Sequence, residues 1–472
     1  MAAVSLGALC GPASALPVRD GQGLGATLGL WTLVPFVAIL LAIAVLPIVA
    51  AHWWEHNKNK ALVAFVCALP VVLTLIGGHG HAGAEVLLEK AMEYASFIVL
   101  LGALYVITGG VHVKGSLSGT PLANTSMLAI GAVLASAIGT TGASVLLIRP
   151  LLRANEARVN KTHLVVFFIF IVSNCGGLLT PLGDPPLFLG FLKGVPFLWT
   201  LGLWKEWLFV NGALLVVFNV WDQRALAVED LARPGSQLED VQHHAPLRID
   251  GGLNFLFLLG IVVVIFCAGQ GVFSGGAPWP FGVQEVAMLA LAAVAWFSTA
   301  NSNRVANRFS WTPIVEVAVL FAGIFVCMAP ALLILNAWGQ GAREVLGMSF
   351  ALDRPWQFFW STGLLSSGLD NAPTYLTFAA TAAGMEGVSA DGPRYLGELL
   401  AKGAPAEALL AAISCGAVMM GANTYIGNGP NFMVKAIAEE NGVKTPSFFM
   451  YMLYSTCILL PLFGLVTLLF FR

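Results

Sequence analysis

Long apolar runs separated by short polar segments dominate the pattern of hydrophobic positions along the chain. Runs of about twenty apolar residues match a hydrocarbon core roughly 30 Å thick. The first half contains five such candidates and the second half another five: residues 28–50, 61–78, 94–110, 162–182 and 203–221, then 252–269, 283–298, 312–335, 405–434 and 447–471. The pattern therefore predicts an all-α polytopic membrane protein.

Four apolar stretches are interrupted by polar or helix-breaking residues. Residues 119–152 and 355–384 each read as an apolar arm, a polar tip and a second arm, which is typical of a re-entrant hairpin. Residues 162–200 and 405–446 contain Gly, Pro and an Asp or Asn within otherwise apolar sequence, which predicts two discontinuous helices. Such backbone is tolerated in a membrane only where protein or a watery cavity satisfies it.

The interrupted stretches also resemble one another across the two halves of the chain. "TPLGDPP" (180–186) aligns with "TYIGNGP" (424–430), and "GTTGAS" (139–144) aligns with "GLDNAP" (368–373). Five crossings per half insert the second half into the membrane from the opposite side. We therefore expect two inverted repeats, residues 28–221 and 252–472, with a binding site between them near the membrane midplane.

The distribution of Lys and Arg sets the expected orientation. With residue 1 outside the cell, most of the 23 basic residues fall in cytoplasmic loops, as the positive-inside rule requires. Both termini are then periplasmic, the protein lies in the cell (inner) membrane, and residues 222–251 form a cytoplasmic linker. No Lys or Arg precedes the apolar part of residues 1–27, so we expect an uncleaved periplasmic tail there, with a signal peptide as the alternative.

Composition excludes several classes of protein. The chain is 58% hydrophobic and only 10% charged, against roughly 25% charged residues in a soluble domain, so a soluble enzyme is excluded. A net charge of -2 without a basic face argues against binding of nucleic acid. No Gly-rich phosphate loop is present, which argues against transport driven by ATP in this chain. We expect a transporter, not an enzyme.

Two aspartates are the leading candidates for chemistry. Asp184 lies in the first break and Asp370 at the tip of the second hairpin. A charge at bilayer depth costs about 2.5 to 3.5 kcal/mol on insertion scales, which favours a functional role. The alternative is that each aspartate only caps a half-helix.

Oxygen-bearing side chains surround these aspartates in the sequence. They suit a hard cation, and Na⁺ is predicted at Asp184, Asp370, Asn371 and Asn423. Alternatively, each hydroxyl bonds the carbonyl four residues before it in its own helix. The remaining candidates for ion or substrate binding are Asn174, Thr180, Thr141, Ser144, Thr374, Thr424 and Asn428.

The segments "SNCGGLLTPLGDPPLF" (173–188), "DNAP" (370–373) and "GANTYIGNGPNF" (421–432) carry a family resemblance. The chain resembles the ion transporter superfamily, which includes sodium/proton antiporters of the NhaD type and citrate-transporter-like proteins. The resemblance implies a scaffold domain, a moving transport domain holding residues 119–200 and 355–446, elevator-type alternating access and a homodimer. The superfamily also includes dicarboxylate/sodium symporters, which carry a Ser-Asn-Thr signature at their hairpin tips. In this chain the tips read Thr141-Gly142-Ala143 and Asp370-Asn371-Ala372, a difference that argues against dicarboxylate binding.

The acidic residues and the lack of arginine at the tips and breaks favour a cation as the bound species. Our first expectation is a Na⁺/H⁺ antiporter in which Asp370 and Asp184 alternate between protons and sodium. A Na⁺- or H⁺-coupled citrate or carboxylate transporter is the alternative, and an arsenite-type carrier or channel is the third. The expected partners are the lipid bilayer and small ions or a small organic anion, with Na⁺ and H⁺ as transported or coupling ions and no cofactor.

Overall fold

The computed structural model describes residues 24–115, 118–232, 248–275, 279–341, 345 and 352–472. Most of the predicted N-terminal tail and residues 233–247 of the predicted linker lie outside these ranges. Within them the regular elements are helices and one two-stranded sheet, in which β1 (His112–Lys114) pairs antiparallel with β2 (Arg248–Asp250).

The helices of the first half comprise three crossings (α2 and the two arms of α4), a helical hairpin, a broken helix and a long final helix. Their bounds are α1 Leu24–Thr27, α2 Val34–Val49, α3 Ala51–Trp54, α4 Asn57–Thr108, α5 Pro121–Ile138, α6 Thr140–Ala154, α7 Thr162–Ile171, α8 Pro185–Leu192 and α9 Trp204–Ala232.

The helices of the second half include the same hairpin and broken helix. Their bounds are α10 Asn254–Gln270, α11 Val283–Ser298, α12 Asn301–Ala306, α13 Thr312–Gly339, α14 Pro355–Gly368, α15 Asn371–Met385, α16 Tyr395–Leu400, α17 Ala404–Met420, α18 Gly429–Glu440 and α19 Phe448–Phe470.

Length and hydropathy identify the membrane-crossing segments. Eight of the described helical segments are long and apolar enough to span a membrane, and α10 and α11 are shorter apolar helices. Large apolar side chains such as Leu73 and Phe297 lie on the outside of the bundle, 63% and 85% exposed, where lipid would cover them. The prediction of an all-α polytopic membrane protein is confirmed.

A sharp bend joins two predicted crossings into the single element α4. Gly80 has φ 55° and ψ -125°, a conformation that a side chain would strain. The bend folds the chain back so closely that a Cβ on Gly83 would overlap the carbonyl of Leu75. The helix after the bend therefore runs as a separate crossing to Thr108.

Two groups of helices pack against each other. In the first, α4 and α13 lie side by side, with α2, α10 and α11 around them. Phe97 stacks on Phe321 with ring centroids 4.9 Å apart, and the Tyr94 hydroxyl donates to the Ala318 carbonyl at 2.8 Å. The second group contains both hairpins and both broken helices. The groups meet where α4 contacts α6 and α8, and where α13 contacts α15.

A buried polar cluster fixes α9 to the loop before α7. The Arg158 Nη1 atom lies 2.8 Å from Asp222 Oδ1, and neither side chain is exposed. Glu229 accepts a hydrogen bond from the Asn160 amide at 2.9 Å. Because these acidic residues of α9 have partners in that loop, the helix continues to Ala232, well beyond the predicted crossing that ends at residue 221.

Candidate functional site

The two broken helices have the same local structure. In each, the first helix gives way to a short 3₁₀ turn, Cys175–Leu179 or Gly421–Asn423, and then to extended backbone. The second helix begins with proline in its first turn, after Asp184 in one break and Asn428 in the other. The φ and ψ angles at these positions are -147° and 145° for Asp184, and -153° and 140° for Asn428.

Glycine pairs allow the backbone of each break to fold onto itself. A Cβ on Gly183 would overlap the Gly177 carbonyl, and one on Gly427 would lie 2.6 Å from the Gly421 carbonyl oxygen. These close approaches explain why the helices are interrupted by glycine as well as by proline. The same close backbone contacts at glycine therefore accompany the helix interruption in both halves.

A threonine fastens each break to the first arm of the neighbouring hairpin. Thr180 Oγ1 donates to the Ser136 carbonyl, and Thr424 Oγ1 donates to the Ser367 carbonyl. Each hydroxyl also accepts from the amide two residues later, at 3.1 Å for Thr180 and 3.2 Å for Thr424. The hydroxyl groups of both predicted threonines therefore stabilise the backbone of a break through these hydrogen bonds.

The hairpin tips correspond in a register different from that suggested by the sequences. Helix α6 begins at Thr140 after Gly139, and α15 begins at Asn371 after Asp370. The start of "GTTGAS" therefore matches "DN" of "GLDNAP", two residues further along than in the sequence alignment. The alignment was wrong because the tips share almost no residue types, so only the backbone conformation defines where each second arm begins.

Asp184 is the point at which four segments meet. Its side chain is buried, with the residue 1% exposed. Oδ1 accepts from Thr140 Oγ1 at 2.8 Å and from Asn428 Nδ2 at 3.2 Å, and Oδ2 accepts from Asn371 Nδ2. Each of these residues stands at or just before the start of a half-helix, so the N-terminal ends of α6, α8, α15 and α18 converge on one carboxylate.

Neutral groups alone donate to this carboxylate. Thr140, Asn371 and Asn428 carry no charge, and Asp184 takes part in none of the ion pairs formed by the described residues. The converging half-helix N-termini add only partial positive charge. The site can therefore accept a further positive charge, either a proton or a metal cation.

An asparagine network links the first break to the second. Asn428 Nδ2 donates to the Asn174 Oδ1 atom at 3.2 Å, and Asn174 Nδ2 donates to Asn431 Oδ1 at 2.6 Å. Asn431 in turn donates to the carbonyls of Gly421 and Thr424, at 2.8 and 2.9 Å. Asn174, Asn428 and Asn431 are all buried. They hold the two breaks together as one unit.

Asp370 has a different environment from Asp184. It is partly exposed, and its Oδ1 accepts from the Ala372 amide at 3.0 Å, which is the contact of a helix cap. Thr374 Oγ1 donates back to the Asp370 carbonyl at 2.9 Å, as expected for a hydroxyl bonded within its own helix. Asp370 nevertheless directly precedes Asn371, which donates to Asp184.

Two of the predicted ligands have a buried amide oxygen without a donor in the described part of the chain. These oxygens are Oδ1 of Asn371 and Oδ1 of Asn423. Asn371 donates its nitrogen to Asp184, whereas Asn423 donates its nitrogen to Ser367 Oγ at 2.8 Å. Of the four predicted sodium ligands, Asp184 and Asn371 are therefore in contact, Asp370 adjoins them, and Asn423 belongs to the second break.

The remaining predicted residues lie either in the buried interior or along a cavity. Ser144 Oγ lies 2.9 Å from Ser173 Oγ in the buried interior. Thr141 is half-buried and lines a cavity instead of bonding Asp184, a role that belongs to its neighbour Thr140. Sequence reasoning missed Ser136, Ser367 and Asn431. Asn431 directly follows the "GNGP" motif and was recognisable, whereas nothing in the pattern distinguishes the two serines within their hairpin arms.

Two adjoining cavities lie between the carboxylate and the end of the molecule that contains Arg149. A cavity of about 90 Å³ is lined by Asp184, Thr140 and Thr141. A second cavity of about 190 Å³ extends to Arg149, Arg308 and Glu440. The two cavities share the lining residues Tyr105, Thr108, Gly142 and Pro313.

Paired helix breaks around a buried carboxylate, within a bundle of membrane-spanning helices, place the chain in the class of membrane transporters. The sequence matches the family described as "Putative citrate transport" over residues 25–471, and the chain belongs to that family. It is also 25% identical over 329 residues to an uncharacterized transporter of Synechocystis sp. (strain ATCC 27184 / PCC 6803 / Kazusa), an alignment that covers 66% of this chain and 68% of the relative.

Proposed function

We propose that the protein is a secondary transporter coupled to a monovalent cation held at Asp184, with Na⁺/H⁺ exchange as its first activity. The observation that carries this proposal is the buried carboxylate whose hydrogen-bond donors are all neutral. A carboxylate removed from water without a positive partner is strongly disfavoured, so it is stable only when it is protonated or binds a cation. Proton and Na⁺ then compete for the same group.

The surrounding residues suit both states of the carboxylate. Thr140, Asn371 and Asn428 orient its two oxygens. The unpaired Oδ1 of Asn371 supplies a further oxygen of the kind that a hard cation prefers. Because the ion needs the deprotonated carboxylate, binding of Na⁺ releases a proton. Exchange follows if the site is exposed to one side of the membrane at a time.

Coupled uptake of citrate or another carboxylate is the second candidate. The family description favours it, and so do the guanidinium groups of Arg149 and Arg308 in the cavity that leads to Asp184. Guanidinium groups recognise carboxylates through paired hydrogen bonds, and Arg149 Nε has no hydrogen-bond partner among the described residues. In this case Asp184 holds the coupling ion and the organic anion binds beside it.

Purified protein in liposomes with a trapped pH dye distinguishes the two candidates. A proton gradient is imposed, and Na⁺, Li⁺, K⁺ or citrate is added separately. Collapse of the gradient by Na⁺ or Li⁺ alone supports exchange. No response to any cation, followed by a response when citrate and Na⁺ are added together, assigns carboxylate transport.

Asp184→Asn and Asp370→Asn form a matched pair for the site. We expect Asp184→Asn to abolish ion-dependent proton flux in either candidate function, because asparagine carries no exchangeable charge. Asp370→Asn should retain a substantial part of the flux, since asparagine caps a helix as well as aspartate does. Flux at the unaltered rate in Asp184→Asn liposomes would contradict the proposal.

A further inference from the structure

The half-helices of the site run toward two opposite ends of the molecule. Helices α6 and α18 lead from the site to the end that contains Arg149, Arg308 and Glu440, here called the Arg149 end. Helices α8 and α15 lead the other way, to the end that contains Lys193 and Arg394, here called the Lys193 end. Helix α6 packs on α18, and α15 packs on α8. The two halves are therefore arranged reciprocally.

The two ends differ in how closely the hairpin arms meet the first helix group. At the Arg149 end, α4 and α6 leave room for the two adjoining cavities, one of which is lined by Asp184. At the Lys193 end, α13 and α15 are in backbone contact. A Cβ on Gly384 would overlap the Asn336 carbonyl, and one on Gly339 would overlap the Thr381 carbonyl. The site is thus open to one end and closed to the other.

Asn336 forms the first polar connection across the closed interface. Its Nδ2 donates to the carbonyls of Ala380 and Val388, at 2.8 and 2.9 Å. Its Oδ1 accepts from the Ala390 amide at 3.1 Å. Asn336 is buried, and all three partners lie on α15 or in the loop after it. A single side chain of α13 therefore holds the end of the second hairpin.

Lys193 forms the second connection, between α8 and α4. Its Nζ lies 2.6 Å from Glu89 Oε1 and also contacts Glu93, while Lys90 Nζ lies 3.0 Å from Glu93 Oε2. The Lys193 side chain is only 2% exposed. Two lysines and two glutamates balance in charge, so the cluster is stable only while α8 and α4 remain together, because separating them leaves buried charges without partners.

The backbone at Lys193 belongs to the same unit as the second hairpin. Its carbonyl accepts from the Leu396 amide at 3.1 Å, and its ammonium group lies 5.6 Å from the centre of the Tyr395 ring. Both residues are in α16, which follows the hairpin. Movement of the hairpins and broken helices against α4 and α13 must therefore break the Lys193 and Asn336 connections together.

A large cavity lies outside these connections. It has a volume of about 630 Å³ and is lined by Glu89, Glu93, Phe191 and Arg394 among others, but not by Asp184. The cavity is thus a vestibule that stops at the ion pairs of Lys193. Helix α8 separates this vestibule from Asp184, because it runs from Asp184 to Lys193.

We infer that Lys193 with Glu89 and Glu93, together with Asn336, forms a gate that closes the Lys193 end while Asp184 is accessible from the Arg149 end. Each transport cycle releases this gate and closes the cavities between α4 and α6. The inference depends on the chain being a transporter but not on which ion or anion it carries. Its test therefore uses accessibility instead of flux.

Position 141 provides the reporter, because Thr141 lines the cavity beside Asp184 and is not one of the three donors to the carboxylate. Thr141→Cys is placed in a full-length protein whose seven native cysteines are replaced by serine or alanine, and its thiol is here called the reporter thiol.

A membrane-impermeant maleimide is applied to vesicles of each orientation. Substitutions at two exposed positions, Ser302→Cys and Lys402→Cys, mark the Arg149 end and the Lys193 end, respectively. We expect the reporter thiol to be labelled from the side that labels Ser302→Cys.

Lys193→Met should increase labelling of the reporter thiol from the Lys402 side roughly fivefold or more, because the removed charge leaves Glu89 of α4 without its partner. Lys193→Arg should leave it unchanged. Lys193→Glu combined with Glu89→Lys should return labelling toward the starting value, which a purely structural role of Lys193 does not predict.

Lys435→Met is the matched control, since it removes an ion pair with Glu439 at the Arg149 end. Asn336→Ala tests the second connection in case Lys193→Met fails to reach the membrane.

Two results would overturn the gate. One is labelling of the reporter thiol from the Lys402 side in the protein with Lys193 and Asn336 intact. The other is unchanged labelling in both Lys193→Met and Asn336→Ala when both are folded. Because labelling needs no transported ion, an Asp184→Asn protein that is inactive in flux still reports on the gate. Failure of the proposed function and failure of the gate are thus separate outcomes.

Discussion

At the scale of single residues, the contacts of Asp184 distinguish it from the other candidates. Three side chains donate to it, and a network of two further asparagines positions one of them, Asn428. Asp370 in contrast uses its carboxylate to cap α15. The two aspartates therefore differ in role in this conformation, although the sequence places both in polar interruptions of apolar segments.

Thr140 and Thr141 test the importance of one hydrogen bond to the carboxylate. Thr140→Val removes a donor from Asp184, whereas Thr141→Val leaves the donor set complete. A hydrogen bond to a charged group is worth about 1.5 to 3 kcal/mol, so the apparent Na⁺ affinity should fall roughly tenfold or more in Thr140→Val. The measurement is the Na⁺ dependence of proton flux. Equal affinities in the two variants would contradict the assigned role of Thr140.

The sequence predicts the candidate residues of the site in part, but not their hydrogen-bond partners. The cost of a charge in the membrane identifies Asp184 without any structure. The choice between Thr140 and Thr141 was not predictable, because the partner of Asp184 depends on where α6 begins after Gly139. Pairings such as Asn174 with Asn431 join residues 257 positions apart, and no local pattern determines them.

At the scale of elements, glycine contacts explain why the broken helices are broken. Pro and Gly in "TPLGDPP" predict the interruption. The structure adds that the two ends of the interruption touch, since Gly183 lies against the Gly177 carbonyl and Gly427 against the Gly421 carbonyl. The sequence predicts separate crossings at 61–78 and 94–110, but it gives no sign of how sharply the chain turns at Gly80 between them.

Gly183→Ala and Gly212→Ala provide a matched test of these contacts. A Cβ at residue 183 would overlap backbone, whereas nothing lies within 4 Å of one at residue 212, in the middle of α9. We expect Gly183→Ala to lower the unfolding temperature and the transport rate. Gly212→Ala should leave the rate unchanged and stabilise the protein by up to about 1 kcal/mol. Thermal unfolding in detergent checks both, and a Gly183→Ala protein as stable as the starting protein would refute the packing argument.

At the scale of the whole molecule, the two helix groups meet through an open face and a closed face. The open face lies between α4 and α6, and the closed face lies between α13 and α15. The count of apolar segments predicts repeats of opposite orientation. It does not predict which face is closed, because both states of a transporter satisfy the same hydrophobic pattern and differ only in which contacts between packed helices are made.

Gly384→Ala should shift the balance between these faces. The added methyl group cannot be accommodated while α13 and α15 are in backbone contact at Asn336. We therefore expect increased labelling of the reporter thiol from the Lys402 side, in the same direction as for Lys193→Met. Gly464→Ala is the control, since nothing lies within 4 Å of a Cβ at that position in α19. Identical labelling of the two proteins would show that the closed face tolerates separation without opening.

The reciprocal packing of α6 on α18 and of α15 on α8 has a consequence for the second state. One half forms the open face and the other forms the closed face, so each half shows the arrangement that the other half must adopt in the second state. We therefore expect the second state to exchange these two arrangements, with the first half closing as α13 meets α15 and the second half opening as α4 meets α6.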